Sequence, residues 1–344
     1  MTDTPLLPLA AAFDPPDESR WQAMAEAALK GAPWERLVGR TADGLAIKPL
    51  YRAPDLPTPT DPAGLPGQAP FTRGVAVVPD PFLPWDIRQI VTAADGAAAN
   101  AIALEELGGG VSSLDLAVAP ADIAAALAGV RLDIAPVGLA PEWASLAAAE
   151  ALANAYRHSG SAAARPAFNL DPFGPWISHG GADQRAEQAL TAACAFAVGP
   201  ATDFPAGTAL KIDARRLHEA GASPAWELAA MLSLGVAALR GLETAGLPPT
   251  TAARTLLVSL AVGPDPVAEI AKLRAARRLW AELLDGCGVA PADQAVRLHA
   301  VTSARMMTAL DPWTNILRTT AAAFAAAAAG VEALTVLPFT TALG

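Results

Sequence analysis

From about Trp85 onward, short apolar runs alternate with helical patterns, and this alternation limits the possible folds more than any other feature. Runs rich in Val, Leu and Ile fall at residues 112–118, 131–137, 166–171, 209–214, 255–262, 295–301 and 333–338. Helical patterns lie at 120–128, 141–158, 183–198, 224–245, 266–284 and 314–329. Strand and helix in regular alternation mean βαβ units on a parallel sheet. Right-handed crossovers then leave a doubly wound sheet or a barrel. Units of about 20 to 45 residues suit the α/β class and, within it, a TIM-type (β/α)8 barrel. The run at 166–171 is the weakest, because Pro166 can occupy only the first position of a strand. Seven strands are read where a closed barrel needs eight, so the eighth is apparently missing. An open barrel leaves unpaired edges along its first and last strands. The expectation is therefore a truncated barrel domain over 81–344.

Residues 1–80 have a different texture. A short amphipathic helix is predicted over 21–30, with Asp17 or Ser19 as its cap. The prolines of 53–70 exclude regular structure and predict an extended arm with polyproline character. An arm of this kind packs across a surface, either its own or a partner's.

Several function classes are disfavoured by composition. Apolar residues make up 53% of the 344 and charged residues 17%, enough for a sizeable core. Much of the apolar share is alanine, a helix former before a core former. No strongly apolar window of membrane-spanning length is read, and residues 321–329 are too few. The N-terminus lacks the basic and apolar regions of a signal peptide, so a cytoplasmic location is expected. A net charge of −10 with no basic stripe argues against nucleic acid or an anionic membrane as partner.

Individual residues mostly carry structural readings. Cys194 and Cys287 match no metal or redox spacing. Gly108-Gly109-Gly110 follows a helix rather than opening one, the wrong order for a phosphate loop, and reads as a C-cap and turn. Lys272, Arg274, Arg277 and Arg278 read as an exposed helix face paired with Glu269 and Glu282, with a phosphate or partner contact as the alternative. Asp311 before Pro312 reads as an N-cap followed by Pro at N1. Trp21, Trp34, Trp85 and Trp313 read as core or interface anchors. Among the histidines, His158 reads as a surface cap, His179 as a loop residue and His299 as a satisfied interior residue. No metal site is expected.

An ordered set of motifs resembles the methylmalonyl-CoA mutase family. Trp21, Lys30-Gly31, Arg40-Thr41, Asp43-Gly44 and Lys48-Pro49-Leu50-Tyr51 resemble the opening of its subunits. The run from Leu65-Pro66-Gly67-Gln68 to Arg73-Gly74 resembles the segment entering its barrel. Trp85-Asp86-Ile87-Arg88-Gln89 resembles its Trp-Thr-Ile-Arg-Gln. Glu219-Ala220-Gly221-Ala222, the run from Ala271 to Trp280, and Asp311-Pro312-Trp313-Thr314-Asn315 with Arg318-Thr319 follow in order.

The resemblance implies radical rearrangement of an acyl-CoA with adenosylcobalamin, by a catalytic large subunit paired with a related small one. It also implies what the catalytic positions should hold. The tyrosine that ends Trp-Thr-Ile-Arg-Gln is here Ile90, which cannot hydrogen-bond a carbonyl. The Tyr-His pair before Glu-Ala-Gly-Ala is here Arg215 and Arg216, and His218 is displaced by two residues. The cobalt-ligating motif Asp-x-His-x-x-Gly is not found. The implied reading is a small, non-catalytic subunit. No catalytic, cofactor-binding or metal residues are assigned to it, and adenosylcobalamin lies in the partner large subunit of a heterodimer that interconverts methylmalonyl-CoA and succinyl-CoA. A divergent acyl-CoA mutase, or another barrel enzyme using Arg215, Arg216 and His218, is the alternative.

Overall fold

The structure is a computed structural model and describes residues 17–52, 55, 63–77, 80–161, 163–178, 180 and 185–344. Half of the proline-rich run at 53–70, together with His179, lies outside the described residues. The chain divides into two compact units, Met1–Thr58 and Pro59–Gly344.

In the first unit, helix α1 (Glu18–Leu29) starts where Asp17 Oδ1 accepts hydrogen bonds from the backbone N–H of Ser19 and Arg20. Asp17 is thus the cap, one of the two expected. Trp21 and Trp34 meet edge to face, with centroids 5.7 Å apart. Two-residue strands β1 (Gly39–Arg40) and β2 (Ala46–Ile47) pair antiparallel. None of residues 17–52 is buried, so the described part of this unit has no core of its own.

The second unit is a closed barrel of eight parallel strands. In chain order its elements are β3 (Asp86–Thr92), α2 (Gly96–Gly108), β4 (Ser113–Ala117), α3 (Ile123–Ala126), β5 (Val137–Leu139), α4 (Leu146–Ser159), β6 (Ala167–Leu170) and α5 (Gly174–Ser178). They continue as α6 (Ala186–Asp203), β7 (Thr208–Asp213), α7 (Arg215–Glu219), α8 (Pro224–Thr244), α9 (Pro249–Arg254), β8 (Leu256–Val262), α10 (Pro266–Gly286), β9 (Leu298–Thr302), α11 (Thr314–Ala328) and β10 (Ala333–Thr335). The TIM-type architecture is as expected, but the seven-strand count is corrected. The strand not counted is β3, whose Asp86, Arg88 and Gln89 hide it among apolar neighbours. β10 pairs with β3 in register Ala333↔Asp86 and Leu334↔Ile87, so the barrel has no open edge.

The outer faces of the strands form the core with the helices. Leu114, Leu116, Leu139, Phe168, Leu210, Ile212, Val258 and Leu260 are all fully buried there. Tyr156 on α4 anchors the short strand β5: its hydroxyl accepts from Val137 N at 2.8 Å and donates to Val137 O at 3.1 Å. Helix α8 is long and apolar enough to cross a membrane by length and composition, contrary to the sequence reading. In the fold, its Leu228, Met231, Ala238 and Leu242 are buried.

Two further readings are corrected. The basic cluster on α10 is not an exposed face: Lys272 and Arg277 are buried, and only Arg278 makes the expected i,i+4 pair with Glu282. Arg277 donates to the carbonyls of Val296 and Gly330 and to Glu332, tying α10 to the segments before β9 and β10. Asp311 does not cap α11, which starts at Thr314 after Trp313 and has no side-chain cap. The glycines at 108–110 do end α2 as expected, with Gly110 at φ 105.

Candidate functional site

Alternation along a strand sends successive side chains to opposite faces. With Leu114, Leu116, Leu210, Ile212, Val258, Leu260 and Leu298 facing the helices, the intervening residues turn inward. They are strongly polar: Ser113, Asp115, Lys211, Asp213, Ser259 and His299, joined by Arg88, Asn169 and Thr335. Polar and apolar residues alternate over Ser113–Asp115 and Lys211–Asp213, so the sequence carried a signal for this lining. Only His299, expected as an interior residue, and Arg88, within a family-like motif, are singled out in the sequence beforehand.

The lining is knitted together between nearby strands. Arg88 Nε donates to Ser113 Oγ at 3.1 Å and lies 3.9 Å from Asp115 Oδ1. Asn169 Nδ2 donates to the Leu139 carbonyl at 2.7 Å and faces Asp115 Oδ1 at 3.4 Å. His299 Nε2 lies 2.8 Å from Thr335 Oγ1. Burial holds the His299 imidazole well below its usual range, reinforced by Lys211 and Arg88, so it is neutral near pH 7. Burial also lowers the Lys211 ammonium, against the opposing pull of Asp213. Gly138 is the one inward position on β5, because a Cβ there would meet Asp115 Oδ1 and the Ala167 carbonyl at 2.6 Å. Asn169 adopts φ 51 where the β6–β7 register shifts. Charged and amide side chains therefore fill the middle of the barrel.

At the carboxyl ends of the strands, where barrel enzymes place their chemistry, the two diagnostic positions are well separated in character. Ile90 shares the inward side of β3 with Arg88, is in register with Asp115, and is 41% exposed. Arg215 is spent on Asp213, with Nη2 to Oδ2 at 2.5 Å. Burial pushes the Asp213 carboxyl up, but Arg215 and Lys211 outweigh it and hold it below the usual range. Arg216 reaches from α7 across to the end of β6. There its Nε meets Asp171 Oδ2 at 3.3 Å and its Nη1 donates to Ser178 Oγ at 3.2 Å. Burial pushes Asp171 up to about 6, helped by Asp213 and opposed by Arg216. The same carboxylate accepts from the backbone N–H of Phe173 and Gly174.

His218 is engaged by other elements. Its Nε2 lies 2.8 Å from Ser303 Oγ and its Nδ1 lies 3.8 Å from Glu227 Oε2. The order Ser303, His218, Glu227 has the outline of a nucleophilic triad. Ser303 and Glu227 are buried, however, and Lys272 Nζ already holds Glu227 Oε2 at 2.9 Å. Burial, with Lys272 and Arg305, draws His218 down to about 4. The arrangement locks α7, α8 and α10 together rather than presenting a nucleophile.

At the opposite end, a cavity of about 430 Å³ opens between the amino ends of the strands. Arg73, Arg88, Arg165 and Arg297 line it beside Asp86 and Glu332. Arg297 donates to the carbonyls of Ala206 and Gly207. Arg88 closes the inner end, and its Nη1 has no hydrogen-bond partner.

Comparison with known proteins places these features in context. The family model described as methylmalonyl-CoA mutase matches residues 40–125 and 117–344. A methylmalonyl-CoA mutase small subunit of Streptomyces virginiae is 40% identical over 98% of this chain and 56% of its own length. The small subunit of Propionibacterium freudenreichii subsp. shermanii is 36% identical over 98% of this chain and 54% of its own. A methylmalonyl-CoA mutase of Escherichia coli is 26% identical over 94% of this chain and 50% of its own. The chain thus spans about half the length of the curated relatives it matches.

Proposed function

This chain belongs to the methylmalonyl-CoA mutase family, and from that premise we propose that it is the barrel portion of a small, non-catalytic subunit. In this reading it pairs with a catalytic large subunit and stabilises it, while the large subunit binds adenosylcobalamin and interconverts methylmalonyl-CoA and succinyl-CoA. The arm of residues 1–80 and the barrel of 81–344 are its two functional parts.

The observation that carries the reading is the state of the mouth and lumen. Ile90 offers no hydrogen bond, Arg216 is engaged by Asp171 and Ser178, and the axis is occupied by Arg88, Asp115, Asn169, Lys211 and His299. An acyl chain threaded along the barrel would have to displace buried, paired charges, at a cost of several kcal/mol per ion. The described histidines do not fit a cobalt ligand either. His158 Nδ1 is bonded to Asn154 O, His218 to Ser303, and His299 lies within the lumen.

Co-purification with a catalytic large subunit tests the reading. A one-to-one complex is expected, with mutase activity only when both are present. A stable monomer with no affinity for that partner would sink it. The arginine-lined cavity favours a second reading, a divergent acyl-CoA mutase or other barrel enzyme active on its own. Acyl-CoA turnover by the isolated chain, lost on Arg216→Ala, would decide for it.

A further inference from the structure

Arg88 is only 6% exposed, yet its positive charge is loosely paired. Its Nη2 lies 3.9 Å from Asp86 Oδ2 and its Nε 3.9 Å from Asp115 Oδ1, both too far for a hydrogen bond. Its Nη1 is buried with no hydrogen-bond partner. A guanidinium does not shed its proton in a protein, so this donor is charged as well as unsatisfied. Leaving such a group unpaired is unfavourable unless something else meets it. Arg88 stands at the inner end of the cavity of about 430 Å³ between the amino ends of the strands.

The rest of that cavity sharpens the imbalance. The guanidinium groups of Arg73, Arg88, Arg165 and Arg297 line it against the carboxylates of Asp86 and Glu332. Glu332 is already committed, holding Arg277 Nη2 at 2.9 Å and accepting from Leu298 N at 2.7 Å. Arg165 is exposed and makes no hydrogen bond or ion pair among the described residues. Burial pulls Arg297 below its ordinary range; Glu332 opposes this, and the cations of Arg165 and Arg254 add to it. Burial also pushes the Asp86 carboxyl up, against Arg88 and Arg165, which makes it a weak counterweight. This concentration of positive charge belongs to a chain whose net charge is −10.

We propose that the cavity is a binding site for a small tetrahedral dianion of the phosphate class, held by Arg88 at the inner end and by Arg165 and Arg297 farther out. Charge sets the first property of the ligand: four cations less two carboxylates leave two positive charges to balance. Guanidinium forks match an oxyanion, whose several oxygens accept side by side, better than they match a halide. Blindness of the cavity sets the second property. Inward of Arg88 the axis is filled by Asp115, Asn169, Lys211 and His299, so no long arm can follow the anion into the barrel. Coenzyme A carries phosphate groups of the same chemistry, but its arm finds no passage here. The dianion would fasten β3 to the segments that lead into β6 and β9. The inference rests on the filled lumen and not on subunit pairing, so either can fail alone.

Calorimetric titration of inorganic phosphate into the whole 344-residue chain, at pH 7.5 and fixed ionic strength, provides the test. One saturable site per chain is expected, and phosphate should raise the thermal midpoint because it binds the folded state. Arg165→Gln, at an exposed position, should weaken binding at least about tenfold and remove most of the rise in midpoint. Arg278→Gln, exposed on α10, should leave both unchanged. Both variants should keep the parent far-UV spectrum. The proposal is overturned by absence of saturable binding, or by binding indifferent to Arg165→Gln. It is equally overturned if coenzyme A displaces phosphate and binds more tightly than phosphate does, since the cavity would then admit a long thioester arm.

Discussion

Arg216 and Asp171 join the ends of two neighbouring strands, with the guanidinium Nε of one 3.3 Å from the carboxylate Oδ2 of the other. Arg216 stands where the family resemblance puts a histidine, and its charge is turned onto the loop after β6. That contact sets the first prediction. Asp171 is almost fully buried, and that burial pushes its carboxyl up to about 6. A carboxylate whose folded value is raised adds stability that is complete below the unfolded value and is lost as pH rises through 6. The loss is on the order of 3 kcal/mol. Urea unfolding at pH 4.5 and 7.5 should show about 2 kcal/mol of this loss in the parent, the rest falling below pH 4.5, and Asp171→Asn should remove it. Arg216→Ala, which removes the opposing cation, should move the Asp171 titration further upward, as followed by carboxyl NMR.

Lys272 is a second point of leverage. Its Nζ lies 2.9 Å from Glu227 Oε2 and 2.8 Å from Glu269 Oε2, and donates to the Ala261 carbonyl at 2.7 Å. Lys272→Met leaves the buried Glu227 carboxylate without its cation, a loss of about 3–5 kcal/mol in chemical denaturation. The double variant Lys272→Met with Glu227→Gln should be less destabilised than the single one, because the stranded charge is gone.

Gly138 tests how tightly the lumen is filled. A methyl group there runs into the Ala167 carbonyl and Asp115 Oδ1. Gly138→Ala should cost about 1–3 kcal/mol by overpacking, read as a lower thermal midpoint. Substitution of Gly129, whose Cβ direction is open, faces only the penalty of its φ of 75.

Tyr156→Phe removes one hydroxyl that serves both the N–H and the carbonyl of Val137. Leaving these buried groups unpaired should cost about 1–3 kcal/mol. Amide exchange at Val137 should accelerate more than at Leu114 on the adjacent strand.

A functional prediction follows from the filled axis. Restoring family-like groups with Ile90→Tyr and Arg216→His together should give the isolated chain no measurable acyl-CoA rearrangement in the presence of adenosylcobalamin. Arg88, Lys211 and Asp115 still occupy the lumen in that variant. Turnover in this assay would transfer weight to the enzyme reading.

The barrel was legible because most strands from β4 onward fall in runs rich in Val, Leu and Ile flanked by helical patterns, although β5 begins only at the last residue of the 131–137 run. β3 escaped notice because a strand that carries Asp86, Arg88 and Gln89 does not look buried until its partners on both sides are known. The charged lining was written in the alternation of Ser113, Leu114 and Asp115, yet polarity inside a barrel runs against the expectation for a core. The α10 cluster was misread for the opposite reason. Lys272 and Arg277 look like solvent residues, and only tertiary contacts to Glu227 and Glu332 account for their burial. The positions of Ile90 and Arg216 came from resemblance, since no local rule distinguishes them. What Arg216 touches could not be foreseen, because Asp171 is 45 residues away in sequence.

Closure by β3 and β10 also sets an order of events. The register Asp86↔Ala333 joins residues about 250 positions apart, among the most non-local contacts a domain of this size can make. On a ribosome, β3 emerges early and has one edge satisfied by β4 as soon as that strand appears. Its other edge waits until nearly the whole barrel has been synthesised. Throughout that interval Ile87 and the backbone of β3 lie open to any strand that arrives first. For this chain the vulnerable stage is the nearly finished nascent barrel, and that is where chaperone capture should be sought.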